Sequence, residues 1–330
     1  MIVPKYFEDL NVLHKNTMPD RAYYIPASVP MDLQPETREA SDRFQLLSGD
    51  WKFRYFENIY DVKEEFFRDG YDALAFDEVK VPGVWQNYGY DRHQYTNTRY
   101  PFPMDPPYVP VVNPCGAYVR YFFYEKNPKA PKAYLNFEGV DSCFYVWVNG
   151  SFVGYSQVSH STSEFDVTEL LREGENTLAV LVVKWCDGSY FEDQDKFRMS
   201  GIFRDVYLLK RPENGIQDYF VKAIPSEDYQ DGTITIDFTY RKEPVPVNIT
   251  LSDAEGKTLA QVTAEGQVSI PVKNAHLWSA EDPYLYKLVL STGEEAITEQ
   301  VGIREIHTEK GVLYINGVKV KFHGTTRHDS

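Results

Sequence analysis

A chain of 330 residues is too long for one ordinary domain, so two domains with extra segments are expected. The formal net charge of −15, with no long cluster of Lys and Arg, argues against a nucleic-acid partner and against an anionic membrane surface. Three cysteines (Cys115, Cys143 and Cys186) without C-x-x-C spacing fit neither a disulfide framework nor a zinc site.

The N-terminus, MIVPKYFEDLNVLHKN, has no apolar core of signal-peptide length, and no run reaches the ~18 apolar residues of a membrane span. With the sparse cysteines this predicts a cytoplasmic location. Two N-x-S/T matches, at Asn149 and Asn248, are then incidental. Aromatic residues reach 15%, a supply that suits β-sheets, where flat rings pack across neighbouring strands. It also suits the apolar faces of sugars, although sheet packing accounts for most of the rings.

Residues 1–45 read as an extended arm, because Pro4, Pro19, Pro26, Pro30 and Pro35 interrupt any periodic pattern. Alternation begins at Trp51-Lys52-Phe53-Arg54-Tyr55-Phe56, and from there to about 212 the signals are strands separated by turns. Strands are predicted over 117–124, 133–137, 144–148 and 151–155, the last two joined by Asn149-Gly150. Asn-Gly between alternating runs is the strongest short-range hairpin cue, since both residues tolerate the positive φ of a type I′ turn. The run 176–184 is apolar enough for a strand buried on both faces, and 202–209 reads as one further strand. Short strands at this spacing indicate an antiparallel sandwich or jelly roll.

Between 213 and 304 a second set of short strands (233–240, 247–251, 267–272, 286–290 and 296–303) resembles an immunoglobulin-like sandwich. Nothing there looks chemical. The tail differs again: 311–322 reads as a hairpin turning at Asn316-Gly317, followed by His323, Arg327, His328 and Asp329.

No phosphate loop, HExxH or GxSxG pattern occurs. The densest polar segment is 185–201, with Asp187, Glu192, Asp193 and Asp195 beside Gln194 and Arg198. Such a loop supplies the donors and acceptors that sugar hydroxyls need, and its oxygens suit a hard cation. The plain alternative is a solvated acidic loop, but the interleaved Tyr190, Phe191, Phe197 and Met199 have no use there. A second polar-aromatic segment, 85–102, leads into the proline-rich 101–110 and reads either as a rigid cover or as a sugar contact.

Several stretches together resemble glycoside hydrolase family 2, in particular its large bacterial β-galactosidases. They are Val81-Pro82-Gly83-Val84-Trp85-Gln86, Tyr95-Thr96-Asn97, Asn113-Pro114, Asp187-Gly188-Ser189-Tyr190, Glu192-Asp193-Gln194-Asp195, Arg198-Met199-Ser200-Gly201 and Leu277-Trp278-Ser279-Ala280. Asn316-Gly317 with Arg327-His328 completes the set, so the resemblance covers nearly the whole chain. It implies an all-β fold: a jelly-roll, galactose-binding-like β-sandwich over 46–212, an immunoglobulin-like β-sandwich over 213–304, and over 305–330 the opening hairpin and strand of a truncated (β/α)8 barrel.

The same resemblance implies retaining hydrolysis of β-galactosides such as lactose by two barrel glutamates. Neither can be placed here, so no catalytic residue is assigned in this chain and the chain alone is expected to be inactive. Three positions carry over as sugar contacts: Asn97, Asp195 and His328. Asp195 is also implied to ligate Na+, and Mg2+ is expected in the missing barrel, while the fragment itself requires no cofactor. The intact protein is expected to be a homo-oligomer, and the fragment to self-associate through its C-terminal tail. The alternatives are a free-standing carbohydrate-binding module, or the same region of a β-glucuronidase or β-mannosidase.

Overall fold

The computed structural model describes residues 2–96, 99, 101–192 and 197–326. Among them the regular structure is β-strand with a few short 3-10 turns. The chain divides into two compact units. One comprises residues 2–20 with Gln45–Lys210, the other Arg21–Phe44 with Arg211–Thr326. The proline-rich N-terminal stretch is therefore shared between the two units.

The first unit is built on a seven-stranded antiparallel sheet. Its order is His14–Lys15, Ser151–Ser156, Cys143–Val148, Gly174–Val183, Cys115–Tyr124, Gly49–Phe56 and Asp77–Val81. A four-stranded sheet (Ser163–Asp166, Lys132–Phe137, Val206–Arg211 and Phe44–Leu46) faces it. Alternate residues of the central strand serve two cores. Leu178, Val180 and Val182 point into the layer between the sheets with Phe53, Phe137 and Phe144, whereas Ala179, Leu181 and Val183 point to the opposite face. There they meet Phe7, Ile59, Phe66 and Trp147. An unbroken apolar run from 178 to 183 is what a strand covered on both faces demands.

Asn149 and Gly150 make the tight turn as expected, both at positive φ (49° and 82°). The Asn149 amide is buried. Its Nδ2 donates to the Leu170 carbonyl at 2.9 Å and its Oδ1 accepts from the Thr177 N–H at 2.9 Å, so the side chain is a structural tie and not a surface acceptor for a glycan. Gly154 meets a different need. A Cβ there would lie 2.3 Å from the Lys15 carbonyl, and only glycine lets the N-terminal strand pair so closely.

The predicted strand 202–209 is broken in two. Gly201–Ile202 pairs with Val140–Asp141, and Val206–Arg211 joins the four-stranded sheet. Between them the Phe203 N–H turns to the Gly139 carbonyl (3.1 Å), and Asp205 accepts from the Ser48 hydroxyl (2.8 Å). Hydrophobic content could not reveal the break, because Ile202 and Val206 both remain buried.

The second unit is a sandwich of three strands (Ile216–Pro225, Gly232–Tyr240 and Val268–Val272) and four (Thr258–Ala264, Val247–Ser252, Tyr286–Ser291 and Ala296–Val301). Seven strands divided three and four is the immunoglobulin-like arrangement. At one end Arg211 and Glu295, both fully buried, form a bidentate pair at 2.6 and 3.0 Å. Arg241 adds a third charge, and the Tyr24 hydroxyl accepts from Arg211 at 2.9 Å while donating to the Gln217 carbonyl. Burial disfavours the Glu295 charge, but the two guanidiniums beside it hold its carboxyl below the usual range. A final three-stranded sheet (Ile306–Glu309, Val312–Ile315 and Val318–Lys319) is tied to this unit through Asn316, which donates to the Trp278 carbonyl at 3.0 Å.

Candidate functional site

The three predicted sugar contacts, Asn97, Asp195 and His328, all lie outside the described residues. What the structure does describe is the stretches of chain that flank the first two in sequence.

That frame starts where the central strand ends. Beyond Val183, pairing with the neighbouring strand is continued by a side chain. The Lys184 N–H reaches the Pro114 carbonyl at 2.9 Å. Asn113 then uses its amide as a mock backbone, accepting from the Trp185 N–H at 3.0 Å and donating to the Trp185 carbonyl at 2.8 Å. The chain next enters the 3-10 turn Asp187–Tyr190, capped by the Cys186 N–H donating to the Ser189 hydroxyl at 3.1 Å.

Two of the four carboxylates of this loop are engaged by the protein itself. Asp187 is buried; it accepts from Gln157 Nε2 at 2.7 Å and from the Gly188 N–H at 3.0 Å. Burial outweighs these bonds and pushes its pKa up. Glu192 Oε1 accepts from both the N–H and the hydroxyl of Ser159, at 2.8 and 3.0 Å. Both partners lie on the connection after strand Ser151–Ser156, distant in sequence, so no local pattern announced them. Among the described residues no group of three His, Cys, Asp or Glu is arranged to hold a metal ion.

The two polar-aromatic segments are stitched to each other. The Trp85 N–H donates to the Ser200 carbonyl (3.0 Å), the Ser200 N–H to Gln86 Oε1 (3.0 Å) and the Arg198 N–H to the Gln94 carbonyl (2.7 Å). Buried Lys184 pairs with Asp91, which also accepts from Gln86. Tyr95 and Phe197 form an antiparallel bridge, with their rings 5.8 Å apart. Each partner of that bridge stands two residues from a predicted contact, Asn97 on one segment and Asp195 on the other.

One hydroxyl makes several of the bonds that hold the proline-rich stretch. Tyr190 donates to the Tyr108 carbonyl at 2.6 Å and accepts from the Asp105 N–H at 3.1 Å, while Phe102 packs on Trp185 and Tyr190 at 5.1 and 5.3 Å. The aromatic residues that seemed out of place in an acidic loop are thus anchors. Phe191 is the exception, at 90% exposure.

The model of the glycosyl hydrolases family 2 sugar binding domain matches residues 44–212, and a second glycosyl hydrolases family 2 model matches 214–304. The chain belongs to glycoside hydrolase family 2. Among relatives, a beta-galactosidase of Actinobacillus pleuropneumoniae is 46% identical over the whole chain, and one of Staphylococcus xylosus 43%. The chain spans about a third of their length (32% and 33%). A solved beta-glucuronidase from an uncultured Clostridium sp. superposes with a TM-score of 0.69 over 84% of this chain and 47% of its own, at 23% identity. A Lactobacillus rhamnosus beta-glucuronidase gives 0.68 over 86% and 48%, also at 23%. At that identity the structures attest the fold alone.

Proposed function

We propose that the chain is the N-terminal, sugar-binding portion of a retaining β-galactosidase acting on terminal β-galactosides. The observation that carries this reading is whole-chain identity of 46% to a protein named beta-galactosidase, combined with the bridge that joins the segments of Asn97 and Asp195. In this reading Asn97, Asp195 and His328 line the sugar site, and the two glutamates that act as acid/base and nucleophile lie beyond Ser330. Residues 305–330 open the catalytic barrel, and Mg2+ belongs to the part that follows.

A Na+ ion is assigned to Asp195. Of the other carboxylates on the same stretch of sequence, Asp187 is buried on Gln157 and Glu192 Oε1 is engaged by Ser159. A cytoplasmic location is part of the same reading and rests on three buried free thiols, Cys115, Cys143 and Cys186.

Hydrolysis of a chromogenic β-galactoside tests the proposal. It should appear with the uninterrupted gene product, fall on Asn97→Ala or Asp195→Asn, and be absent from the 330-residue chain. Activity in the short chain would overturn the reading.

The intact protein is proposed to be a homo-oligomer. The short chain is proposed to self-associate through its tail, where Ile306 (55% exposed) and Val318 (68%) sit on the outer strands of a small open sheet. Light scattering should show a smaller mass for a chain ending at Arg304. An unchanged mass would sink the idea.

A further inference from the structure

We infer that the second unit carries a saccharide-binding cleft of its own, between the strands Ile216–Pro225 and Ala296–Val301, suited to a short uncharged oligosaccharide. The cleft lies wholly within that unit and involves none of the three predicted sugar contacts.

Both strands are the outermost of their sheets, and the chain itself already occupies part of each edge. Ala27 exchanges two backbone bonds with Ala296, at 3.0 and 2.8 Å, while the Ala22 N–H donates to Asp218 at 2.8 Å. Residues 22–27 therefore cross the opening between the sheets. Further along, the Arg304 N–H takes the Ala223 carbonyl at 3.3 Å. Between these crossings a cleft of about 510 Å³ remains, within the range of roughly 300–1,000 Å³ that small-ligand sites occupy. A second hollow of about 210 Å³ shares Tyr23, Glu299 and Gln300 with it, so a ligand of more than one ring has room.

The lining combines ring faces with hydrogen-bonding groups. Tyr23 is 51% exposed and Phe220 66%, and Arg38 donates to the Tyr23 hydroxyl at 2.8 Å, which fixes that ring in place. Glu299 accepts from the Tyr219 hydroxyl at 2.5 Å through one oxygen. A sugar offers a C–H face to such rings and a rim of hydroxyls to a carboxylate and an amide. A purely apolar ligand would bury the Glu299 carboxylate and the Gln300 amide without partners. The Arg304 guanidinium is drawn over the Trp278 ring at 4.9 Å, so Lys222 and Glu299 are left as opposite charges and the lining is close to neutral. An extended peptide is disfavoured, because edge groups at Ala223 and Ala296 that it would pair with are already taken.

The test is an NMR titration of the 330-residue chain with β-1,4-galactotriose. Backbone amides at 220–224 and 298–302 should shift saturably with a Kd of about 1 mM. Phe220→Ala and Gln300→Ala should each weaken binding about fivefold, the scale of one aromatic contact or one neutral hydrogen bond. Both side chains are exposed, so neither change should move the melting temperature. Asp195→Asn should leave these shifts as they are. No saturation by about 20 mM overturns the inference, as does binding that Asp195→Asn abolishes and Phe220→Ala spares, which would place the sugar on the first unit. Tighter binding of the corresponding galacturonic acid trisaccharide would overturn the preference for an uncharged ligand. In the uninterrupted gene product the same sugar should slow amide hydrogen exchange over 219–224. Exchange there that is already slow and indifferent to the sugar would mean that polypeptide fills the cleft, and the inference would fall.

Discussion

Asp187 in the first unit and Glu295 in the second are both buried carboxylates, 7% and 1% exposed, yet they hold their protons in opposite ways. Asp187 meets only neutral donors, Gln157 and a backbone N–H, and burial raises its pKa. Glu295 is more deeply buried, but Arg211 and Arg241 reverse the effect of burial and its pKa is lowered. Depth alone does not decide the charge state of a buried acid; the formal charge of its partners does. The difference also follows the division of labour. The charged cluster locks one end of a scaffold, whereas the neutral network supports the turn from which the polar loop departs.

The sharpest break of this comparison is Glu295→Ala. It takes from buried Arg211 its bidentate carboxylate, and loss of one partner from a buried pair costs about 3–5 kcal/mol. Calorimetry should show the loss in the transition of the second unit. An unchanged midpoint would mean that the cluster is open to water and contributes little.

The same pair sets an acid limit. A lowered pKa contributes stability above the unfolded value of about 4.5 that is lost as pH falls through the folded value. Asp187 has the opposite sign: its contribution is present below about 3.8 and is lost as pH rises through its raised folded value. Asp187→Asn should therefore change stability by no more than about 1 kcal/mol at neutral pH and flatten the pH dependence of the first unit. A variant whose unfolding midpoint still tracks pH as the parent does would show that another group governs it.

Much of the fold was legible in the residues. Asn149-Gly150 announced its hairpin, the run 176–184 its two-sided burial, and the alternation over 233–240 its place in a sandwich. Strands Asp77–Val81, Ile216–Pro225 and Thr258–Ala264 escaped notice, each having fewer than half of its residues buried and so a weak apolar signal. The candidate site was legible as two segments, 85–102 and 185–201, but not as an arrangement. Asp187 and Glu192 read only as members of a polar loop suited to sugar hydroxyls or a hard cation, and their partners Gln157 and Ser159 lie some thirty positions away with no motif to mark them. Asn113 stood out in the family pattern, yet its use as a surrogate strand could be read only from Trp185 beside it.

The sequence by itself determined an all-β chain in two units and its membership of a sugar-hydrolysing family, because periodicity and turn chemistry act over a few residues and leave their mark in order along the chain. Tertiary structure alone decided which carboxylates are engaged by the protein itself and which arginines neutralise Glu295. Those outcomes depend on partners brought together across 30 to 84 positions, and a hydrogen bond over such a span has no local signature.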